Sequence, residues 1–381
     1  MKVNLLKDGF RLLWIIELIL YFAIPFGITS LQRICYYLFY VINFTLFMYI
    51  VINFSLNRLK LTRKMFYSFL LVILIIISLF ISCIMNPTTF SLDVHFSAIM
   101  NYLSLVFSIF YVNFIDLDAN FKKFILRINI FIAILFCILS VSPYAYTHEK
   151  LTESLNLGYS NPNATAIYIF LTIAVIFSFF NYVKLKKIKI FMLFLVGYLI
   201  YLVYLTESRT CMIVSILLVI YFIWPFKFSI TRKWIIVGLV IPIFFLFGYT
   251  YLYNNGYFID LQIMGKSFYS GREVYYIGVL NDIKNSLFFG DFGFYHLTNT
   301  HNGPLSVLSS LGIVGLILLY IFIYKSFTQL LINQSKITKI ALVSIIILFA
   351  QSSSEAAILV GGANFTVPMA TLFLIAKTKF D

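Results

Sequence analysis

Apolar residues along the chain gather into long runs, and most of the charged residues lie between them. A helix needs about 20 apolar residues to cross roughly 30 Å of hydrocarbon, and twelve runs reach or approach that length. They predict an all-α polytopic membrane protein, a single bundle over residues 1–381 with about twelve transmembrane helices. The runs are 12–30, 35–56, 65–85, 96–115, 124–142, 164–183, 190–206, 211–226, 234–253, 304–324, 340–357 and 358–376.

Composition excludes a water-soluble domain, because 62% of the residues are hydrophobic and only 11% are charged. The net charge of +14 does not indicate nucleic-acid binding, since it follows the alternation of the predicted helices. With a cytoplasmic amino terminus, all but six of the 28 Lys and Arg residues fall on the cytoplasmic side. Both termini are therefore predicted to be cytoplasmic. The six exterior residues are Arg33, Lys150, Arg209, Lys266, Arg272 and Lys284.

Two predicted exterior connections, about 143–163 and 254–303, are longer than the usual connection in a compact bundle. The second, between spans nine and ten, contains apolar residues near helical spacing over 273–288, which predicts a helix lying on the membrane interface. These residues are Val274, Ile277, Leu280, Ile283 and Leu287.

Two exterior arginines are candidates for binding an anion. Arg209 lies between spans seven and eight, where an arginine needs an anionic partner, and its planar fork suits a phosphate. The alternative is a structural ion pair with Glu207. Arg272 follows Gly271, whose missing side chain would let the backbone approach a ligand; a solvated pair with Glu273 is its alternative.

The first long loop ends with Asn161-Pro162-Asn163, just before the sixth span. This sequence favours a turn in which an asparagine caps the helix. The alternative is that Asn163 binds a sugar or a phosphate.

His301 and Asn302 begin the tenth span, which also carries Gly312 and Gly315. A histidine near neutral pH can accept a proton from a sugar hydroxyl, and a capping histidine is the alternative. The four histidines are scattered and lack metal-ligand spacing, so the sequence predicts no metal and no cofactor.

The His301-Asn302 pair with Gly312 and Gly315 resembles the signature of the O-antigen ligase and polymerase family, which assembles bacterial surface polysaccharide. SRT around Arg209, SGR around Arg272, NSLFFGDFGF at 285–294 and NPNATA at 161–166 resemble other segments of that family, in its order. The resemblance covers roughly residues 158–325. The chain departs from the arginine-ten-glycine spacing of some polymerases, because Ile220 and Ile283 stand where glycine is expected.

The resemblance implies a GT-C-like, metal-independent glycosyltransferase in the bacterial cytoplasmic membrane, with its active site on the exterior face. Its donor would be an oligosaccharide on undecaprenyl pyrophosphate, and membrane lipids, a chain-length regulator and a repeat-unit flippase would be its partners. Arg209 and Arg272 would bind pyrophosphate, and His301 would position or deprotonate the acceptor. Asn302, Asn161, Asn163 and Gly271 would contact substrate, while Gly312 and Gly315 would allow a close helix crossing.

Three functions stay open. Modest exterior loops favour a polymerase of repeat units for capsule, exopolysaccharide or O-antigen over a ligase that transfers the glycan to another acceptor. A non-enzymatic transporter or flippase of the same lipid would use the same basic surface. Transporters usually carry ionisable groups within the bilayer, and only Glu17 and Glu355 are candidates here.

Overall fold

A computed structural model describes residues 2–59, 61–85, 90–142, 145–147, 154–159, 161–224, 229–263, 266–269, 271–292, 300–331 and 334–378. Lys60, Lys150, Lys227, Lys379, His148 and His296, and the last two residues of the 285–294 segment, lie outside these ranges. Most of the described residues are helical, and the helices are named in chain order. They are α1 Lys2–Ala23, α2 Thr29–Ser55, α3 Arg63–Met85, α4 Leu92–Tyr111, α5 Ala119–Ser140, α6 Pro162–Phe180, α7 Lys186–Leu205, α8 Arg209–Ile223, α9 Arg232–Asn254, α10 Arg272–Asp282, α11 Gly303–Leu330, α12 Lys336–Gln351, α13 Ala357–Val360 and α14 Ala363–Lys377.

Short elements complete the two long connections. A pair of two-residue antiparallel strands, β1 Tyr146–Thr147 and β2 Ser154–Leu155, lies between α5 and α6. A second pair, β3 Gln262–Ile263 and β4 Lys266–Ser267, lies between α9 and α10. Single 3-10 turns follow α4 at Val112–Phe114 and α10 at Ile283–Asn285.

Eight of the described helices are long and apolar enough to cross a membrane: α2, α3, α4 with its 3-10 turn, α5, α6, α7, α9 and α11. Two shorter helices, α8 and α14, are also apolar. The chain is therefore an all-α, multi-pass membrane protein. Each of the twelve predicted runs overlaps a helix, but several boundaries differ from the prediction.

Helix α6 lies at the centre of the bundle, because it packs against α5, α7, α8, α12 and α14. Most of its side chains are buried, which explains why its sequence is apolar on every face. One continuous apolar core runs through the bundle. A second, smaller cluster joins α9, α10 and the start of α11 through Tyr249, Tyr269, Tyr276 and Leu305.

Helix α1 begins ten residues before the predicted run and ends seven residues before its end. Its first turns stay helical despite their charges, because Lys7 pairs with Asp118 and Arg11 bonds Asp8 at 2.9 Å. Pro25 lies two residues after the helix, where it cannot continue the helical hydrogen bonds. The predicted boundaries of 12–30 were therefore wrong at both ends.

The last two predicted runs were expected to follow each other with almost no connection. Instead α12 ends at Gln351 and α14 begins at Ala363, and the single turn of α13 lies between them. The residues Ser352, Ser353, Ser354 and Glu355 are buried, although the first three are hydroxylated and the last is acidic. Hydropathy could not find this connection, because burial inside protein permits non-helical backbone at membrane depth.

Helix α10 lies where an interfacial helix was predicted, but its apolar residues do not share one face. Tyr276, Val279 and Ile283 are buried against the smaller cluster. Val274, at 64% exposure, and Phe288, at 67%, lie on the surface. The helix is therefore held by aromatic packing on one side and leaves apolar side chains outside on another.

Helix α11 breaks at Gly312, where φ is 68° and ψ is −174°. The break frees the amides of Ile313 and Val314, which donate to the carbonyls of Leu287 at 2.9 Å and Phe288 at 3.2 Å. A Cβ on Gly312 would lie 2.2 Å from the Phe288 oxygen. The missing side chain of Gly312 therefore makes room for the backbone of the loop that follows α10. Its predicted role in a helix crossing was wrong.

Gly315 does lie at a helix contact. A Cβ there would meet the Ser78 hydroxyl of α3 at 3.4 Å, and α3 is a major packing partner of α11. Of the two glycines, only Gly315 thus faces another helix.

We expect Gly312→Ala to destabilise the protein by roughly 3 kcal/mol, from the left-handed φ and the overlap with Phe288 together. Thermal unfolding of the purified protein in detergent measures the effect. Gly197→Ala in α7 is the matched control, because nothing lies within 4 Å of its Cβ position. It should leave the melting temperature unchanged or raise it slightly. Equal melting temperatures for both variants would show that the loop is not docked in the break.

Candidate functional site

Three consecutive backbone carbonyls in the connection after α12 accept hydrogen bonds from residues at the starts of α10 and α11. The Ser352 carbonyl accepts from the Gly303 amide at 2.7 Å. The Ser353 carbonyl accepts from Asn302 Nδ2 at 2.8 Å, and the Ser354 carbonyl accepts from Arg272 Nη1 at 3.1 Å. The connection therefore ties the start of α11 and the start of α10 to the same place.

Asn302 is fully buried and caps α11. Its Oδ1 accepts from the Leu305 amide at 2.9 Å, while its Nδ2 donates to Ser353. Both ends of the amide thus bond to backbone groups. Asn302 therefore fixes the turn that carries His301 through bonds to the main chain.

Arg272 is the first residue of α10 and lies beside a buried carboxylate. Its Nη2 is 3.7 Å from Oε1 of Glu355, and its side chain is 25% exposed. Among the described residues its ion pair is with Glu355 rather than with the neighbouring Glu273. The carbonyl end of α12 also favours a cation here.

Glu355 lies in the connection between α12 and α13, outside the helical spans, and is 6% exposed. Burial raises the pKa of its carboxyl to about 7, against the opposing effect of the Arg272 charge. Near neutral pH the group therefore exists in both forms. It compensates Arg272 only in part.

His301 lies in the turn before α11 with φ 48°, a conformation uncommon for a residue with a side chain. Its carbonyl accepts from Tyr276 Oη at 3.3 Å, and Tyr276 lies one turn after Arg272 on α10. The residue as a whole is exposed, although its ring is partly enclosed. Burial and the nearby Arg272 charge lower the pKa of His301 below its usual value, so the neutral imidazole predominates at pH 7.

Tyr276 is fully buried, and burial raises the pKa of its phenol to about 12. The hydroxyl therefore keeps its proton and can serve as the donor to His301. This tyrosine connects the turn of the histidine with the helix of the arginine.

Arg209 begins α8, and its Nη1 donates to the Ser267 carbonyl of β4 at 3.1 Å. Its guanidinium is close enough to Arg272 for the two charges to interact. The next residue, Thr210, accepts a hydrogen bond from the Ser354 hydroxyl at 3.0 Å. Arg209, Arg272 and His301, which are far apart in sequence, thus lie around one connection.

The structure does not bring Asn161 and Asn163 into this group. Asn161 caps α6, because its side chain accepts from the Asn163 amide at 2.9 Å. Within the described ranges no hydrogen bond joins either asparagine to Arg209, Arg272 or His301. The capping interpretation of Asn161 is confirmed.

Gly271 precedes α10 with φ 78°. Nothing lies within 4 Å of its Cβ position, so the left-handed backbone, and not a close contact within the protein, accounts for glycine here. The open space beside it is next to Arg272.

Sequence reasoning missed the parts of the site contributed by Tyr276, Glu355 and the three serines. The signal was present as the run QSSSE at 351–355, which interrupts an otherwise apolar stretch. A polar run inside apolar sequence must be satisfied by the protein itself. Its partners, however, lie more than 40 residues away in the chain.

Glu355 makes stability depend on pH with a defined sign. A carboxyl whose pKa is raised in the folded protein binds its proton more tightly there, so stability falls as pH rises from about 4.5 to about 7. Glu355→Gln should remove this contribution, which is on the order of 3 kcal/mol. The difference between the melting temperatures of wild type and Glu355→Gln, taken as wild type minus variant and measured from pH 4.5 to 8, should decrease as pH rises. A constant difference would show that Glu355 is ionised throughout.

Comparisons of the chain with protein-family models, with curated proteins and with solved structures found no match. Function is therefore argued from the residues of the site and from the motifs around them.

Proposed function

We propose that the protein is a membrane glycosyltransferase that polymerises undecaprenyl-pyrophosphate-linked oligosaccharide repeat units on the outer face of the bacterial cytoplasmic membrane. The observation that carries the proposal is the grouping of Arg209, Arg272 and His301 around the Ser352–Glu355 connection. Arg272 contacts the connection directly, and the chain neighbours of the other two residues, Thr210 and Asn302, bond to it. The three grouped residues are those that the resemblance to the O-antigen ligase and polymerase family assigns to catalysis.

The charges of the site favour an anionic ligand. Two guanidinium groups lie near each other, and the carboxylate beside them is only partly ionised at neutral pH. The two guanidinium groups are suited to a pyrophosphate, whose oxygens accept paired hydrogen bonds from arginine. The pyrophosphate would bind at the first residues of α8 and α10, which are Arg209 and Arg272.

The proposed reaction is a transfer at the anomeric carbon of the donor sugar. An acceptor hydroxyl attacks this carbon, its proton passes to His301, and the bond to the pyrophosphate oxygen breaks. The arginines stabilise the negative charge that the departing pyrophosphate gains. The lowered pKa of His301 keeps the ring in the basic form that this step needs.

The orientation proposed for this function has twelve spans, cytoplasmic termini and an exterior 254–303 connection. It rests on the distribution of Lys and Arg. A ligase would use the same donor chemistry with a different acceptor. A transporter or flippase would move the lipid without forming a glycosidic bond, so an assay for polymer separates it from both enzymes.

We expect polymer formation to require the paired hydrogen bonds that the planar guanidinium groups of Arg209 and Arg272 can donate. In vesicles containing purified protein and lipid-linked repeat units, with a chelator present, Arg209→Lys and Arg272→Lys should lower the rate of polymer formation by about tenfold or more, because lysine lacks the bidentate geometry. Lys284→Ala is the control, since this exposed cation bonds only Asn281 at 3.2 Å among the described residues.

The double variant Arg272→Ala/Glu355→Gln separates function from folding. It removes the cation together with the buried charge that the cation compensates. We expect it to reach the membrane at wild-type level and to form no polymer. Wild-type polymer from this variant would mean that Arg272 is structural only.

The variant His301→Asn tests whether His301 acts as the general base. Asparagine tolerates the positive φ of this position better than alanine does, so the turn should persist. Transfer should fall by roughly 100-fold or more, as for loss of a general base, while donor binding stays within about twofold. In wild type the rate should rise with pH through the lowered pKa of His301, so that the half-maximal rate lies below the pH at which an ordinary histidine titrates. Loss of donor binding would assign the histidine to the phosphate site.

A further inference from the structure

A cavity away from Arg209 and Arg272 lies between α2, α4, α6 and the start of α14. Its volume is about 540 Å³, which is within the range of small-ligand sites. Six aromatic side chains line it: Tyr36, Tyr37, Tyr40, Phe96, Tyr168 and Phe365. None of these residues belongs to the site described above.

Polar groups lie among the aromatic rings. Asn101 and Asn364 line the cavity, and Asn101 Oδ1 accepts from Tyr40 Oη at 3.0 Å. Asn364 Nδ2 donates to Tyr168 Oη at 3.3 Å. Arg33 and Asp93 also line it, both are exposed, and their charges are opposite. The lining as a whole therefore carries no net charge.

Asn364 has an unused acceptor. The side chain is 5% exposed, and within the described part of the chain its Oδ1 has no hydrogen-bond partner. A buried carbonyl without a donor is costly, and it is normally matched by a ligand or by water. The oxygen itself is enclosed, but Asn364 lines the cavity, so rotation of its side chain would bring this acceptor to a ligand that carries hydroxyl or amide donors.

We propose that this cavity binds the neutral sugar residues of a glycan. Aromatic faces suit the apolar faces of sugar rings, and the amides suit their hydroxyl groups. The balanced charges of Arg33 and Asp93 favour a neutral ligand over an anionic one. A lipid chain would leave the acceptor of Asn364 unpaired.

The cavity and the arginine site share the connection after α12. Ser354 and Glu355 contact Arg272, and Gly362 and Asn364, a few residues later, line the cavity. Glu355 pairs with Arg272 at 3.7 Å and lies nine residues before Asn364 of the cavity. If the proposed function holds, on which this step rests, the cavity holds sugars of the acceptor beside the donor phosphates.

The test uses the repeat-unit oligosaccharide released from its lipid carrier by mild acid, so that it bears neither lipid nor pyrophosphate. Saturation-transfer NMR with the full-length protein in nanodiscs measures its binding. Asn364→Ala and Tyr37→Ala should each weaken binding by about tenfold, as expected for a lost buried hydrogen bond or aromatic contact. Tyr37 is 60% exposed, so its variant should fold even where Asn364→Ala does not.

Two controls separate this inference from the proposed function. Tyr201→Ala on α7, 51% exposed and outside the cavity, should bind the glycan as wild type does. Arg272→Ala/Glu355→Gln should also bind the free glycan, because the probe has no phosphate. Glycan binding at wild-type strength by both Asn364→Ala and Tyr37→Ala would overturn the assignment of the cavity to sugars. Saturation transfer to lipid chains, with none to the oligosaccharide, would overturn it as well. Normal polymerisation by the arginine variants would overturn the proposed function and leave glycan binding standing.

Discussion

The site depends on three successive carbonyls, those of Ser352, Ser353 and Ser354, in a buried connection without regular structure. Backbone carbonyls in a dry interior need donors, because water does not reach them. Arg272, Asn302 and the Gly303 amide supply these donors. One requirement of membrane folding, that buried polar backbone be paired, thus draws the starts of α10 and α11 together and positions the histidine between them.

The carboxylate of Glu355 compensates the charge of Arg272 only in part. A buried Glu355 next to Arg272 is a partial ion pair, because burial raises the pKa of the carboxyl to about 7. Arg209 then adds a second cation within electrostatic reach. Two guanidinium groups beside one partly ionised carboxyl are suited to an anionic ligand, as the proposed function requires.

Much of the fold follows from hydropathy, because most of the apolar runs are long and clearly bounded. The failures occur where burial by protein replaces burial by lipid. The run expected over 340–357 contains the Ser352–Glu355 connection, and the run at 304–324 contains the break at Gly312. Arg209, Arg272 and His301 could be selected from sequence by charge and motif. Tyr276 and Glu355 could not, since their roles arise from contacts between distant segments.

The break in α11 gives the site its rigidity. The loop after α10 bonds the amides that Gly312 frees, so the two ends of the segment from Arg272 to Gly312 are both anchored to helices. His301 lies inside this anchored segment, on a turn held by Asn302 and Tyr276. A proton acceptor held in this way moves little relative to Arg272. In the proposed mechanism such a base would act on a hydroxyl of the acceptor bound in the aromatic cavity, because only the acceptor must move into place.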